Sequence, residues 1–275
     1  MALNRAKVKY VVKKPNLLLY LLKSIIYCDM VNVCISPIIT SKNLKKAFGE
    51  STPVIDNLTF SIRKGDFVSI IGPNGCGKST LMNILSGFSS PDHGSVAVNA
   101  KNIAYVDQNS DEMLLPWLTV EENIAFPEKL HQIDKVIINN LLVNFKLESS
   151  RKKFPGSLSG GMKQATLMIR ALAHNSEVLL LDEPFKSLDF DISIRIQQSL
   201  LDIWTKYKPT VILISHDIEE AIFLSQKVMI FSDKPTKIKK IIDLKVETKD
   251  KNISFLSSDK FLVIKKDILN TFYEK

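Results

Sequence analysis

Alternating apolar and polar positions dominate the chain from about residue 38 to residue 98 and predict short strands. These strands are predicted at Ile38 to Phe48, Val54 to Ile62 and Gly94 to Val98. Turn-forming residues separate them, as at Lys64 to Asp66 and at Pro91 to Gly94. The pattern indicates a small, partly antiparallel β sheet in this part of the chain.

A second set of strands is apolar at nearly every position, as expected for strands that helices cover on both faces of a parallel sheet. These runs are Phe67 to Ile71, Ile103 to Val106, Val178 to Leu181 and Val211 to Ile214. Helix-like spacing lies between them: after Thr80, over much of residues 120 to 150, and at Met162 to Ala173. Strands and helices alternate, so we predict an α/β fold.

Length and composition are those of a globular protein, because 275 residues with 45% apolar and 24% charged residues can form one large α/β domain or two small ones. The net charge of +8 is concentrated at the start of the chain, since residues 1 to 29 hold six basic residues and one acidic residue. A lysine-rich solvated surface explains the remainder, and we predict no nucleic-acid partner. The three cysteines form no disulfide framework, which indicates a reducing compartment.

A glycine-rich segment after the strand at Phe67 to Ile71 has the pattern of a phosphate-binding loop. Its glycines let successive N–H groups turn towards an anion, and the helix that begins at Lys78 or Ser79 adds its positive end. Lys78 is then expected to reach the β- and γ-phosphates of a nucleotide, and Ser79 to hold Mg²⁺. The predicted nucleotide-binding residues of this loop are Gly72, Pro73, Asn74, Gly75, Cys76, Gly77, Lys78, Ser79 and Thr80.

Polar residues follow three other predicted strands at their carboxyl ends, where open α/β sheets bind ligands. Asp182 and Glu183 follow four aliphatic residues. Asp182 is expected to hold the Mg²⁺ shell, and Glu183 to orient or deprotonate the attacking water. His216 is predicted to contact the γ-phosphate, and Gln108 occupies a ligand-binding position. These strand ends predict hydrolysis of a nucleoside triphosphate.

A second anion site is predicted at the start of the helix near Met162. Ser159 is a good N-cap, and Gly160 and Gly161 leave backbone N–H groups uncovered at the positive end of the helix. A single chain needs only one phosphate site. We therefore expect this second site to complete the nucleotide pocket of another protomer.

In combination, these segments resemble the ATP-binding subunits of ABC transporters from about Ile38 to Phe231. The matching segments are Phe48 (adenine-stacking loop), Gly72 to Thr80 (Walker A), Gln108 (Q-loop), Leu158 to Gln164 (signature), Val178 to Glu183 (Walker B), Ser187 to Asp189 (D-loop) and His216 (switch histidine). The resemblance implies a P-loop NTPase (RecA-like) core with an antiparallel β subdomain and an inserted α-helical subdomain at about residues 109–175. The ATPase domain is then expected at residues 37–232.

Two segments narrow the resemblance to importers of the nitrate, sulfonate and taurine group: Leu115 to Asn123 and His216 to Ser225. Ser232 to Ile238 is also similar to a segment of that group. The chain departs from the family pattern at Ala165, where Arg is usual, and at Lys186, where a small residue is usual. The tail also lacks the expected Arg-Pro-Arg after residue 243, and none of the departures removes a catalytic group.

The two ends of the chain lie outside the predicted ATPase domain. Residues 1–36 form an extension, for which three interpretations stay open: a disordered or membrane-surface segment, an extra helix, or a start assigned too early, with initiation at Met30. Residues 233–275 form a tail, whose helix carries an apolar face expected to pack on the domain: Phe261, Ile264, Ile268 and Phe272.

By this resemblance, two chains meet head to tail and hold each ATP between Lys78 and Ser79 of one chain and the signature loop and Asp189 of the other. Mg²⁺ is expected at Ser79, Gln108 and Asp182. The implied partners are integral membrane permease subunits, contacted near Gln108 and Trp117, and an external solute-binding protein, with this chain peripheral at the cytoplasmic face of the cell membrane.

The implied function is ATP-driven import of a small anionic solute. Two alternatives stay open: the ATPase of an exporter or lipoprotein-release system, and an ABC ATPase without a role in transport.

Overall fold

The computed structural model describes residues 36–49, 52–107, 113–126, 135–186, 188–247 and 250–274. The N-terminal extension up to residue 35, Gln108 and Ser187 lie outside these ranges, and the predictions made for them are not tested. The strands are β1 (Pro37–Lys46), β2 (Ile55–Arg63), β3 (Phe67–Ile71), β4 (His93–Val98), β5 (Ile103–Val106), β6 (Val178–Asp182), β7 (Thr210–Ile214), β8 (Lys227–Phe231) and β9 (Ile238–Asp243). The α-helices are α1 (Lys78–Leu85), α2 (Val120–Ala125), α3 (Lys135–Asn144), α4 (Gly160–Ala173), α5 (Phe190–Tyr207), α6 (Ile218–Leu224) and α7 (Asp259–Tyr273).

Two sheets organise the fold. The smaller sheet has the order β2-β1-β4 with antiparallel pairing, which confirms the predicted antiparallel β subdomain. The larger sheet has the order β5-β6-β7-β3-β8-β9 and is parallel except for β9. Its strands β3, β6 and β7 are buried at every position, so their all-apolar sequences have no solvent-facing side.

Parallel pairing brings the carboxyl ends of five strands to one edge of the larger sheet. β6 pairs with β7 up to Asp182 and Ile214, and β3 pairs with both β7 and β8. The polar residues that follow these strands therefore become neighbours, although they are far apart in the sequence. This edge is the binding edge of an open α/β sheet.

The region between β5 and β6 contains α2, α3 and α4. α2 begins with a capping box, in which Glu122 Oε2 accepts from Thr119 N at 2.8 Å. Ser159 is the N-cap of α4, as predicted, and its hydroxyl accepts from Met162 N at 3.4 Å. In the described part of the chain, none of the helices has the length and apolarity that a membrane span requires.

Residues after β8 continue the larger sheet, because β9 pairs with β8 from Phe231 opposite Ile238 onwards. The sequence pattern predicted residues 233–275 as a tail with one helix, and this strand was not predicted. Two lysines in the middle of β9 break the alternation of apolar residues, and an edge strand tolerates such charges. The packing of α7 agrees with its prediction, since Phe261 and Ile268 are buried in the core.

The C-terminal segment also binds the end of α6. Lys251 is buried, and its Nζ donates to the carbonyl oxygen of Ile222 at 2.9 Å and to that of Ser225. These carbonyls lie at the negative end of the helix, which favours an ammonium group. Burial nevertheless lowers the pKa of Lys251 to about 7. Lys251 therefore couples the C-terminal segment to the helix that follows His216.

We expect this lysine to make stability depend on pH. Between about pH 7 and pH 10 the unfolded chain keeps the Lys251 proton and the folded chain loses it, so the free energy of unfolding rises with pH. Between pH 7 and pH 9, the free energy of unfolding of the native protein is expected to rise by about 2 kcal/mol more than that of Lys251→Met. Urea unfolding of both proteins at the two pH values measures it. A difference that is the same at both values would contradict the expectation.

Candidate active site

A cavity of about 400 Å³ lies at the carboxyl edge of the larger sheet, above the glycine-rich loop. Residues from five separate segments of the chain meet around it. The cavity is lined by Phe48, Val54, Asn74, Gly75, Gly77, Lys78, Ser79, Thr80, Glu183, Lys186, His216 and Lys234. Seven of the fourteen residues predicted to bind nucleotide are thus brought together around one cavity, with Glu183 and His216 beside them.

The shape of the loop depends on glycine at position 77. Gly77 has a φ of 118°, and a Cβ there would lie 2.7 Å from Val54 Cγ1. A side chain is therefore excluded both by the backbone conformation and by a buried neighbour. Lys78 is buried, and its Nζ donates to the carbonyl oxygens of Gly72 at 2.9 Å and Pro73 at 3.0 Å. These two hydrogen bonds hold the ammonium group against the loop.

The segment that contains Thr236 is distant in the sequence and supports the loop by hydrogen bonds. Thr236 is fully buried, and its hydroxyl donates to the carbonyl oxygen of Cys76. Its backbone N–H donates to Val54 O at 2.9 Å, which ties the same segment to the start of β2. Burial raises the pKa of the Cys76 thiol, so this thiol stays protonated at neutral pH. The loop is thus fixed by the residues that follow β8.

Asp182 ends β6 directly beside the loop. Its Oδ1 is buried with no hydrogen-bond partner among the described residues. Burial raises the pKa of Asp182 to about 6, and the neighbouring Ser79 hydroxyl opposes that rise. A buried carboxylate oxygen beside a hydroxyl fits a hard cation such as Mg²⁺, which prefers oxygen ligands.

Glu183 is held in an unusual backbone conformation at the same edge. Its φ is 49°, a left-handed value that costs a non-glycine residue roughly 1–2 kcal/mol. Its N–H donates to Ile214 O at 3.0 Å, which fixes this turn against β7. Glu183 Oε1 contacts His216 Nε2, and Oε2 lies 3.0 Å from Lys186 Nζ. Strain of this kind is typical of functional residues, since surrounding structure must maintain it.

A partly buried network of hydrogen bonds supports the loop that carries His216. Ser215 Oγ donates to Glu220 Oε2 at 2.6 Å and accepts from Asp217 N at 3.0 Å. Asp217 in turn caps α6 by accepting from Glu219 N at 2.7 Å. Burial raises the pKa of Glu220 to about 7, so its carboxyl group is partly protonated near neutral pH. The loop that carries His216 is therefore anchored at both ends.

Other predicted site residues lie outside the cavity lining. Ser159, Gly160 and Gly161 begin α4, and Asp189 occupies the N-cap position of α5. Val54 and Lys234 were not predicted as lining residues, and Lys186 was noted only as a departure from the family pattern. Lys234 follows the apolar run of β8, and that run was the signal that could have identified it.

The comparisons with known proteins agree with this geometry. A family model described as ABC transporter matches residues 55–186. The aliphatic sulfonates import ATP-binding protein SsuB of Bacillus cereus is 39% identical over 241 residues, which are 84% of this chain and 93% of that protein. The chain belongs to the ABC transporter ATP-binding family. The resemblance inferred from the motifs is thereby confirmed, and this ABC ATPase binds and hydrolyses ATP.

Two further proteins are similar to this ABC ATPase. The bicarbonate transport ATP-binding protein CmpD of Synechocystis is 38% identical over 213 residues, 72% of this chain and 75% of that protein. Among solved structures, the ATP-binding cassette MJ0796, a dimer bound to ADP and Pi, has a TM-score of 0.65 and 28% identity. The match covers 76% of this chain and 100% of the chain in that structure. The P-loop NTPase fold is therefore confirmed.

Proposed function

We propose that this ABC ATPase hydrolyses ATP in the cavity at the carboxyl edge of its larger sheet and so powers import of a small anionic solute through a membrane permease. One observation carries the proposal: Lys78, Ser79, Glu183 and His216 line the same cavity, next to the buried carboxylate of Asp182. These groups are the ones that phosphoryl transfer to water requires.

The cavity supplies distinct contacts for the two ends of ATP. Phe48 is 57% exposed and lines the cavity, so its ring is available to stack on the adenine. The N–H groups of the loop and the ammonium of Lys78 bind the phosphates. Ser79 and Asp182 would hold Mg²⁺, which neutralises charge on the phosphate oxygens. Gln108 is proposed as a further ligand, although it lies outside the described residues.

Hydrolysis then depends on Glu183 and His216. The Glu183 carboxylate accepts a hydrogen bond from the attacking water and orients its oxygen towards the γ-phosphorus. A bond forms between the water oxygen and phosphorus while Glu183 takes a proton from the water, and the bond from phosphorus to the bridging oxygen of ADP breaks. His216 and Lys78 stabilise the charge on the γ-phosphate oxygens as this happens. ADP and phosphate are the products.

A second copy of the chain is proposed to complete the site. Ser159, Gly160 and Gly161 stand at the positive end of α4 but do not line the cavity, so their anion is not the one held by Lys78 of the same chain. A head-to-tail pair brings this end of α4 and Asp189 to the nucleotide of the partner. Closure of the pair on ATP and its opening after hydrolysis is the mechanical output.

The transport partners follow from the family and from one exposed side chain. Trp117 is 68% exposed just before α2, and we infer that it contacts the permease subunits together with the Gln108 segment. The chain is then peripheral at the cytoplasmic face of the cell membrane, and an external solute-binding protein delivers the solute. The choice of an anion rests on the names of the sulfonate and bicarbonate relatives.

We expect a tagged copy of this chain, purified from native membranes, to recover an integral permease and a solute-binding protein. Trp117→Ala is expected to lower the recovery of the permease at least about tenfold, because a central aromatic anchor is lost. Tyr273→Ala, which changes an aromatic residue that is 75% exposed on α7, is the matched control and should recover it normally. Recovery of an exporter, or of ribosomal components alone, would contradict the import proposal and leave the ATPase activity untouched.

A further inference from the structure

Lys186 lies between the cavity and the partly buried network formed by Ser215 and Glu220. It lies in the turn between β6 and α5, three residues after Glu183, and its N–H donates to Glu183 O at 3.3 Å. Its side chain lines the main cavity and also an adjacent cavity of about 170 Å³. Ser215, His216 and Glu220 contribute to the wall of the smaller cavity. Lys186 thus lies at the wall between the two cavities and next to Glu183.

Lys186 contacts the Glu183 carboxylate oxygen that His216 does not contact. Lys186 Nζ lies 3.0 Å from Glu183 Oε2, while His216 Nε2 contacts Oε1. The imidazole contacts Oε1, and Oε2, which has no hydrogen-bond partner among the described residues, is held by charge attraction to the ammonium group, so rotation of the carboxylate about its last bond is restricted. The Glu183 side chain is 9% exposed and the Lys186 side chain 56%, so the lysine approaches from the solvent side.

We propose that Lys186 is a positioning residue for ATP hydrolysis, whose ammonium group fixes the Glu183 carboxylate in the orientation that receives the attacking water. The inference rests on the proposed role of Glu183. A carboxylate oxygen carries two lone pairs, so Oε2 accepts from water while it also binds the ammonium group. The lysine acts through Glu183 and is not a ligand of the phosphates.

The test compares Lys186→Met and Lys186→Arg with the native chain in steady-state ATP hydrolysis. Methionine keeps an unbranched stem and removes the charge, so kcat is expected to fall about two- to fivefold, the range that exposed ion pairs correspond to. The KM for ATP is expected to stay within about twofold, because binding does not involve Lys186. Arginine restores the ion pair and should recover most of kcat.

The matched control is Lys240→Met. Lys240 Nζ pairs with Asp267 Oδ1 at 2.9 Å, so this change removes the same charge and a similar ion pair between β9 and α7. Its kcat should equal that of the native chain. A fall in kcat as large as that of Lys186→Met would mean that lost charge or lost stability causes the effect, and would overturn the proposal.

ATP affinity in a Glu183→Gln background separates positioning from phosphate binding. Titration calorimetry with ATP and Mg²⁺ is expected to give affinities within about twofold for Glu183→Gln alone and with Lys186→Met added. A tenfold weaker affinity would make Lys186 a phosphate ligand, and an unchanged kcat for Lys186→Met would deny it any role. Both results overturn the inference. Normal hydrolysis by Glu183→Gln instead refutes the proposed role of Glu183 itself.

Discussion

Glu183→Gln is expected to reduce ATP hydrolysis at least about a hundredfold while ATP affinity stays within a few-fold of the native value. The amide has the size of the carboxylate, but it has no negative charge and only one acceptor oxygen. It cannot both hold Lys186 and take the water proton. Binding is preserved because the loop and Lys78, which hold the phosphates, are unchanged. Phosphate release and calorimetric titration with ATP measure the two effects on the same protein.

The control for this prediction is Glu177→Gln. Glu177 is a carboxylate that pairs with Lys64 at 3.3 Å just before β6, and it does not line the cavity. Its loss should leave turnover unchanged. Hydrolysis by Glu183→Gln at the native rate would remove Glu183 from the mechanism. A parallel loss of ATP affinity would instead indicate that the substitution disturbs the loop.

Gly77→Ala is expected to weaken ATP binding more than about tenfold and to lower the free energy of unfolding by about 2 kcal/mol. The new Cβ would lie 2.7 Å from Val54 Cγ1, and Val54 is buried and cannot withdraw easily. The φ of 118° is also strained for any residue with a side chain. Relief requires the backbone before Lys78 to move, which displaces the phosphate-binding N–H groups. Urea unfolding and ATP titration measure both losses.

Gly75→Ala is the matched control in the same loop. Gly75 has a φ of 72°, and a Cβ there meets nothing within 4 Å. Only the left-handed backbone is penalised, by roughly 1 kcal/mol, so ATP binding should weaken less than in Gly77→Ala. Equal effects of the two substitutions would show that the contact with Val54 is not the cause.

Much of the site could be predicted because its functional residues lie in short segments of the sequence. Gly72 to Thr80 combines a loop and a helix start in nine residues directly after β3, and its conformation depends mainly on its own glycines. Ser159 was predicted as an N-cap for the same reason, since a cap bonds within three residues. The assignment of its loop to the nucleotide of a second chain stays a prediction.

Other features could not be predicted because they depend on contacts between distant segments. Thr236 supports the loop at Cys76 only because β8 pairs with β3, and nothing local in either segment indicates that pairing. The strand β9 was missed because its lysines are tolerated at a sheet edge, a position that the sequence pattern does not show.

The amino-acid sequence by itself determined the phosphate loop, the buried strands, the family and the residue types available for hydrolysis, since these follow from local backbone requirements and short apolar runs. Only the tertiary structure decided which side chains surround Glu183. Lys186 is three residues away, but it meets the carboxylate because Glu183 adopts a left-handed backbone fixed by β7. Side-chain direction at such a turn depends on the packing of neighbouring strands, which residue spacing alone does not specify.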